Sequence, residues 1–136
     1  SYGHEILHCW WGNGVYVDYE SGNWCEGLTT YCTNYYRKEL EDPAAAVEHR
    51  RRVLQAFSIK VTPETDYPVR EFTGKTEDVD NDVGYGKCSM IFHMLRRDIG
   101  DESFWGALRL LNERYRGKRA SCAPRVSTSW VKYPWW

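Results

Sequence analysis

Two histidines four positions apart, His4 and His8, constrain the fold of this chain more than any other feature. Side chains four residues apart lie on one face of an α-helix, so a helix here aims both imidazoles at one point. Glu5 follows His4 and lies about 100° further round the helix axis, beside that point rather than on it. The pattern therefore predicts a helix over about residues 1–11 that carries two metal ligands and an adjacent carboxylate.

A third ligand is available from Glu26, eighteen positions after His8. A second helix that brings this carboxylate to the two imidazoles completes the ligand set of a catalytic zinc ion and leaves a fourth position open. We therefore expect one zinc ion bound by His4, His8 and Glu26. The alternative is a pair of surface histidines that bind no metal.

The residues around these ligands resemble the zinc aminopeptidases of the aminopeptidase N and leukotriene hydrolase family, the gluzincins. Residues 8–13 read HCWWGN, similar to the family's His-x-Trp-x-Gly-Asn, and residues 24–31 read WCEGLTTY, similar to its Trp-x-x-Glu-Gly-x-x-x-Tyr. Between His8 and Glu26 lie 17 residues, one fewer than the family usually has. The missing residue falls just before the second helix, which can therefore keep its register.

A third stretch, Gly84-Tyr85-Gly86-Lys87, looks like the family's Tyr-x-Lys-Gly. The resemblance implies that Tyr85 donates a hydrogen bond to the oxyanion of a tetrahedral intermediate. It also implies that Glu5 is the general base, taking a proton from water and delivering it to the leaving amine. The alternative for Tyr85 is a packing role at the start of a helix. Carboxylates that could orient the ligating imidazoles are Asp18, Glu20 and Glu41.

Hydrophobic periodicity predicts an all-α fold, which the resemblance likens to the helical half of a thermolysin-like catalytic domain. In the second helix the expected inner stripe is Leu28, Tyr31 or Cys32, Tyr35 and Leu40. Residues 58–82 form a long loop with Phe72 as its anchor. We expect about five helices, at about residues 1–11, 24–40, 42–57, 85–99 and 102–116.

Cysteine usage does not indicate a second ligand set. The chain has five cysteines with no paired Cys-x-x-Cys spacing, so a thiolate zinc knuckle is not indicated. Cys9 and Cys25 adjoin ligands in the sequence and are interpreted as small buried hydrophobic residues.

The sequence pattern divides the chain into two parts, a helical zinc-binding part over residues 1–121 and an aromatic-rich tail over residues 122–136. The tail has no amphipathic period, and its tryptophans could cover an apolar face or form a homo-oligomer contact. The resemblance implies that the β-rich half of a catalytic domain, with the motif that binds the substrate's amine, would precede this part. We therefore expect a truncated catalytic-domain fragment.

The net charge of −1 gives no basic field for nucleic acid. No apolar run approaches the ~18 residues of a membrane span, and no signal peptide is recognisable, which leaves the compartment open. The predicted function is zinc-dependent peptide hydrolysis of aminopeptidase type, with a peptide as substrate. The alternative is a non-catalytic zinc-binding helical remnant or interaction module that lacks the substrate-amine site.

Overall fold

Helices make up most of the structure, a computed structural model that describes residues 1–121. Within this range the chain forms five helices and one pair of two-residue strands, which confirms the all-α prediction. The predicted tail over residues 122–136 lies outside the described residues. The helices are α1 (Tyr2–Leu7), α2 (residues 24–41), α3 (Pro43–Lys60), α4 (residues 78–99) and α5 (Asp101–Tyr115).

Two of these helices contain a π-helical turn. In α2 the turn spans Tyr31–Tyr36, and in α4 it spans Asn81–Lys87. A π turn bonds residue i to i+5 and so places one extra residue in the turn, which changes the face on which later side chains lie. Leu28, Tyr31 and Tyr35 are fully buried as predicted. The prediction for Leu40 was wrong, because this residue follows the π turn and is 69% exposed.

The centre of the fold is the contact between α2 and α4, which bury Leu28 and Tyr31 on one side and Val83 and Ile91 on the other. At Gly27 the helices approach so closely that a Cβ atom there would lie 2.3 Å from the Cys88 sulfur. Only a glycine allows this approach. It brings the first turn of α2 beside the π turn of α4.

The segment between α3 and α4 was predicted as a loop over residues 58–82, and these bounds were wrong at both ends. Helix α3 continues to Lys60 and α4 begins at Asp78, with a short 3₁₀ turn at Val69–Glu71 between them. The predicted anchor is confirmed, since Phe72 is 2% exposed. Its ring fills the space above Gly84, where a Cβ atom would lie 2.4 Å from the ring.

The start of α2 is fastened to the end of the described chain. The Trp24 indole donates a hydrogen bond to the Ala120 carbonyl at 2.9 Å. Beside it, β1 (Tyr16–Val17) pairs in parallel with β2 (Arg119–Ala120). These contacts hold the N-terminal end of α2 in place.

Helix α1 ends at Leu7, four residues before the predicted end, and the chain turns over residues 8–10. This early end explains why the prediction of a buried Cys9 was wrong: Cys9 lies in the turn and is exposed, whereas Cys25 is buried as predicted. Within residues 1–121 none of the helices has the length and apolar character of a membrane span.

Candidate metal centre and active site

The structure brings His4, His8 and Glu26 together. Each offers one ligand atom, and the three atoms lie within 4.8 Å of one another. The distance from His4 Nε2 to Glu26 Oε2 is 3.0 Å, and that from His8 Nε2 to the same oxygen is 3.5 Å. The imidazole rings are 4.7 Å apart between centroids and almost perpendicular, at 80°. Both Nε2 atoms therefore face one carboxylate.

Helical geometry produces this convergence. His8 follows the last residue of α1 but keeps helical dihedrals (φ −59°, ψ −18°), so its side chain lies one turn above His4. Glu26 lies in the first turn of α2, whose start the Trp24 contact fixes. The spacing of 17 residues between His8 and Glu26 thus still allows the carboxylate to reach both imidazoles.

The His8 ring is oriented by the backbone. Its Nδ1 atom donates a hydrogen bond to the Trp11 carbonyl at 2.9 Å, which leaves Nε2 as the nitrogen with a free lone pair. Gly12 makes this possible with a φ of +107°, a conformation that favours glycine. Sequence reasoning missed Trp11, because a carbonyl group leaves no residue-specific signal.

None of the three carboxylates suggested for this orienting role has a contact with His4 or His8 in the structure. Glu41 forms an ion pair with Arg37 at 2.7 Å on the surface. Glu20 is exposed. The glycine of the HCWWGN stretch was the available clue, since it marks where the chain turns back.

Tyr85 lies against the same cluster. Its ring stacks on His4 with centroids 6.1 Å apart and 29° between planes, and it packs edge-to-face with Phe72 at 5.7 Å between centroids. Burial, the negative charge of Glu26 and a hydrogen bond with that carboxylate raise the pKa of Tyr85 to about 12. The hydroxyl is therefore protonated at neutral pH and able to donate.

Glu5 is exposed and lies in the wall of a cavity of about 570 Å³ that the cluster also lines. The structure therefore places all five predicted residues, His4, Glu5, His8, Glu26 and Tyr85, around one cavity. Cys25 lies near but outside the cluster, and burial together with the Glu26 charge raises its pKa to about 12, so it remains a thiol.

The donor set fits a zinc ion. Two imidazole nitrogens and one carboxylate oxygen, with one imidazole fixed by a second hydrogen bond, are the donors of known catalytic zinc sites. The carboxylate oxygen that accepts the His4 hydrogen bond also lies 3.5 Å from His8 Nε2, so the three donor atoms are close enough together to bind one ion. A cation there would replace the shared proton.

A helical fold with this cluster, a neighbouring carboxylate and a tyrosine is typical of a metallopeptidase. Residues 2–124 match the model of the peptidase family M1 domain, and the chain belongs to this family.

Two curated relatives from Saccharomyces cerevisiae (strain ATCC 204508 / S288c) match the chain. The alanine/arginine aminopeptidase is 27% identical over 107 residues, which cover 74% of this chain and 12% of that protein. The mitochondrial aminopeptidase 2 is 24% identical over 107 residues, covering 74% of this chain and 11% of that protein. The chain thus spans about an eighth or less of these relatives' lengths. No solved structure matches.

Proposed function

We propose that this chain carries the zinc centre of an aminopeptidase-type metallopeptidase and that its substrate is a peptide. The supporting observation is the convergence of His4, His8 and Glu26, whose ligand atoms lie within 4.8 Å of one another although α1 and α2 are separate helices. The family match and the names of the two yeast relatives support the reaction class.

Zinc bound to these three residues supplies a Lewis acid that polarises a carbonyl group and makes water more acidic. The chain's own groups complete the chemistry. Glu5, in the wall beside the ligands, accepts the proton of the attacking water and passes it to the leaving amine. Glu5 is exposed and adjacent to His4, so its carboxylate lines the cavity and stays hydrated.

Tyr85 stabilises the oxyanion. Its hydroxyl is a protonated donor, and its ring contacts both His4 and Phe72, so the donor is positioned before the substrate arrives. His8 is held by the Trp11 carbonyl in the tautomer that presents Nε2. These contacts provide the fixed geometry that hydrolysis requires.

The test combines elemental analysis with hydrolysis of aminoacyl-anilides, with and without chelator. We expect about one zinc per chain and turnover that chelator and Glu5→Gln both remove. Glu5→Gln should keep its zinc, whereas Glu26→Gln should lose it. His49→Gln is the control for metal content, because His49 lines the same cavity outside the cluster.

Zinc binding without turnover would instead assign a non-catalytic metal-binding unit, and a chain without zinc would contradict the proposal. Homo-oligomerisation through an exposed aromatic surface stays a separate prediction, which light scattering at increasing concentration tests.

A further inference from the structure

The cavity beside the candidate metal centre contains a buried carboxylate that the proposed chemistry does not use. Asp82 lies in the π turn of α4, three residues before Tyr85, and lines the same cavity. Its side chain is 8% exposed. Among the described residues no donor forms a hydrogen bond with its Oδ2 atom. Buried carboxylates normally accept several hydrogen bonds, so Asp82 keeps unused binding capacity.

The cation next to Asp82, the Lys60 ammonium, belongs to a solvent-exposed side chain. The Lys60 ammonium lies 3.3 Å from Oδ2, without forming a hydrogen bond, and the Lys60 side chain is 58% exposed. Lys60 is the last residue of α3 and also lines the cavity. A long exposed side chain of this kind contributes little as an ion-pair partner and can move into solvent at low cost.

Outside the candidate metal centre, two other basic residues line the cavity, Arg52 and His49, and within the described part of the chain neither forms an ion pair with Asp82. Arg52 donates a hydrogen bond from Nε to Glu48 at 2.8 Å, a carboxylate that it shares with Arg51, so its guanidinium group is held on the surface of α3. Burial and the charges of Lys38 and Arg52 lower the pKa of His49, which favours a neutral imidazole. Asp82 therefore presents a negative charge that an incoming cation can pair with after displacing Lys60.

We propose that Asp82 is a specificity-determining residue that binds the guanidinium or ammonium side chain of a peptide substrate. Lys60 occupies that place when no such side chain is bound. A guanidinium suits the site best, because it donates two parallel hydrogen bonds to one carboxylate. The inference rests on the proposed function in one respect: the cavity must receive a peptide. The competing explanation is an ion pair that merely fastens α3 to α4.

Equilibrium binding tests the proposal. Tetrapeptides of alanine, with a free N-terminus and an amidated C-terminus, carry one arginine at each position in turn. A matched set carries citrulline, which has the same shape without the charge. Calorimetric titration of the zinc-loaded Glu5→Gln chain should show, at one position, about tenfold tighter binding of the arginine peptide.

The variants Asp82→Asn and Lys60→Met separate the two explanations. Recognition predicts that Asp82→Asn abolishes the preference for arginine while Lys60→Met increases it, because a competitor has been removed. A structural ion pair predicts that both variants lower thermal stability alike and that neither changes the preference. Asp98→Asn is the matched control, since Asp98 is exposed near the C-terminal end of α4 and does not line this cavity.

Three results would overturn the inference: equal affinity for both peptide sets, a preference that persists in Asp82→Asn, or no binding of any peptide. If Asp82→Asn fails to fold, the direction of the Lys60→Met effect decides. Selective arginine binding without hydrolysis by the parent chain would refute the proposed function and leave the Asp82 assignment in place. Hydrolysis by the parent chain with no preference for arginine over citrulline would support the proposed function and refute the Asp82 assignment.

Discussion

Gly27 contacts Cys88 so closely that any larger residue at position 27 must displace α4. A Cβ atom on Gly27 would lie 2.3 Å from the Cys88 sulfur and 2.5 Å from its Cβ atom. Gly27 follows the candidate ligand Glu26, and Cys88 comes three residues after Tyr85. This contact therefore limits how far apart the candidate ligand and the candidate oxyanion donor lie.

Replacing Gly27 with alanine should lower both stability and zinc affinity. The added methyl group overlaps Cys88, and overpacking of a buried contact typically costs about 1–3 kcal/mol. The separation of the two helices must increase, which shifts Glu26 relative to Tyr85 and to the His4 ring stacked on it. Urea unfolding and competitive zinc titration measure the two effects.

The Cys88 variants provide the control for this prediction. Cys88→Gly removes both overlapping atoms and should restore zinc affinity in the Gly27→Ala background, whereas Cys88→Ala retains its Cβ atom and should restore less. A double-mutant cycle isolates this coupling from the helix cost of glycine, about 1 kcal/mol. Equal recovery by both would show that the contact is not the cause.

Zinc should stabilise the fold. The three candidate ligands would join α1 to α2, and an ion that binds only the folded chain raises the unfolding temperature with its concentration. We expect chelator to lower this temperature and Glu26→Gln to abolish the response to zinc. His49→Gln should retain it. An unfolding temperature that changes with neither zinc nor chelator would contradict the prediction that one ion binds all three residues.

Tyr85→Phe should separate chemistry from metal binding. Loss of one oxyanion donor typically lowers kcat by about 10²–10³, and the phenyl ring preserves the stacking on His4. Zinc content should stay unchanged, which elemental analysis checks. A variant that loses zinc together with activity would show that the hydroxyl positions Glu26 rather than acting on substrate.

Stability should fall in acid through Asp80, which is 7% exposed at the start of α4. A hydrogen bond from Tyr67, together with the backbone amides of Glu77 and Thr76, lowers the pKa of Asp80 to about 2. A carboxylate whose folded pKa lies below its unfolded value stabilises the protein above the unfolded value. That contribution is lost as the pH falls from about 4 to about 2.

Asp80→Asn should therefore lower the free energy of unfolding at pH 7 by about 2 kcal/mol and flatten its change between pH 4 and 2. Urea denaturation across this range measures both quantities. Asp78→Asn is the control, because Asp78 is the exposed carboxylate two positions earlier. The same acid dependence in Asp80→Asn as in the parent chain would rule out this carboxylate as the cause.

Sequence periodicity predicted the buried face of a helix up to a π turn and failed beyond it. In α2 the stripe was correct through Tyr35, which lies within the π turn, and wrong at Leu40, which follows the turn. In α4 the same kind of turn, with glycines at 84 and 86, obscured the start of the helix, which was predicted at residue 85, seven residues too late. A π turn depends on tertiary packing and leaves no periodic pattern in the sequence.

The residues of the candidate site could be predicted from the sequence, but the contacts around them could not. The i, i+4 spacing of His4 and His8 specifies their common face, and the family pattern selected Glu26 and Tyr85. The Trp11 carbonyl that orients His8 and the buried carboxylate of Asp82 depend on how distant segments pack. No local rule specifies such contacts.

The bond from the Trp24 indole to the Ala120 carbonyl also bears on how the molecule is made. It joins residues 96 positions apart, and Trp24 stands two residues before Glu26. A ribosome releases the N-terminal helices first, so the carboxylate-bearing turn emerges long before its fastening partner. The nascent chain therefore forms this hydrogen bond late. If synthesis stalled before residue 120, the N-terminal end of α2, which carries Glu26, would lack its bond to Ala120.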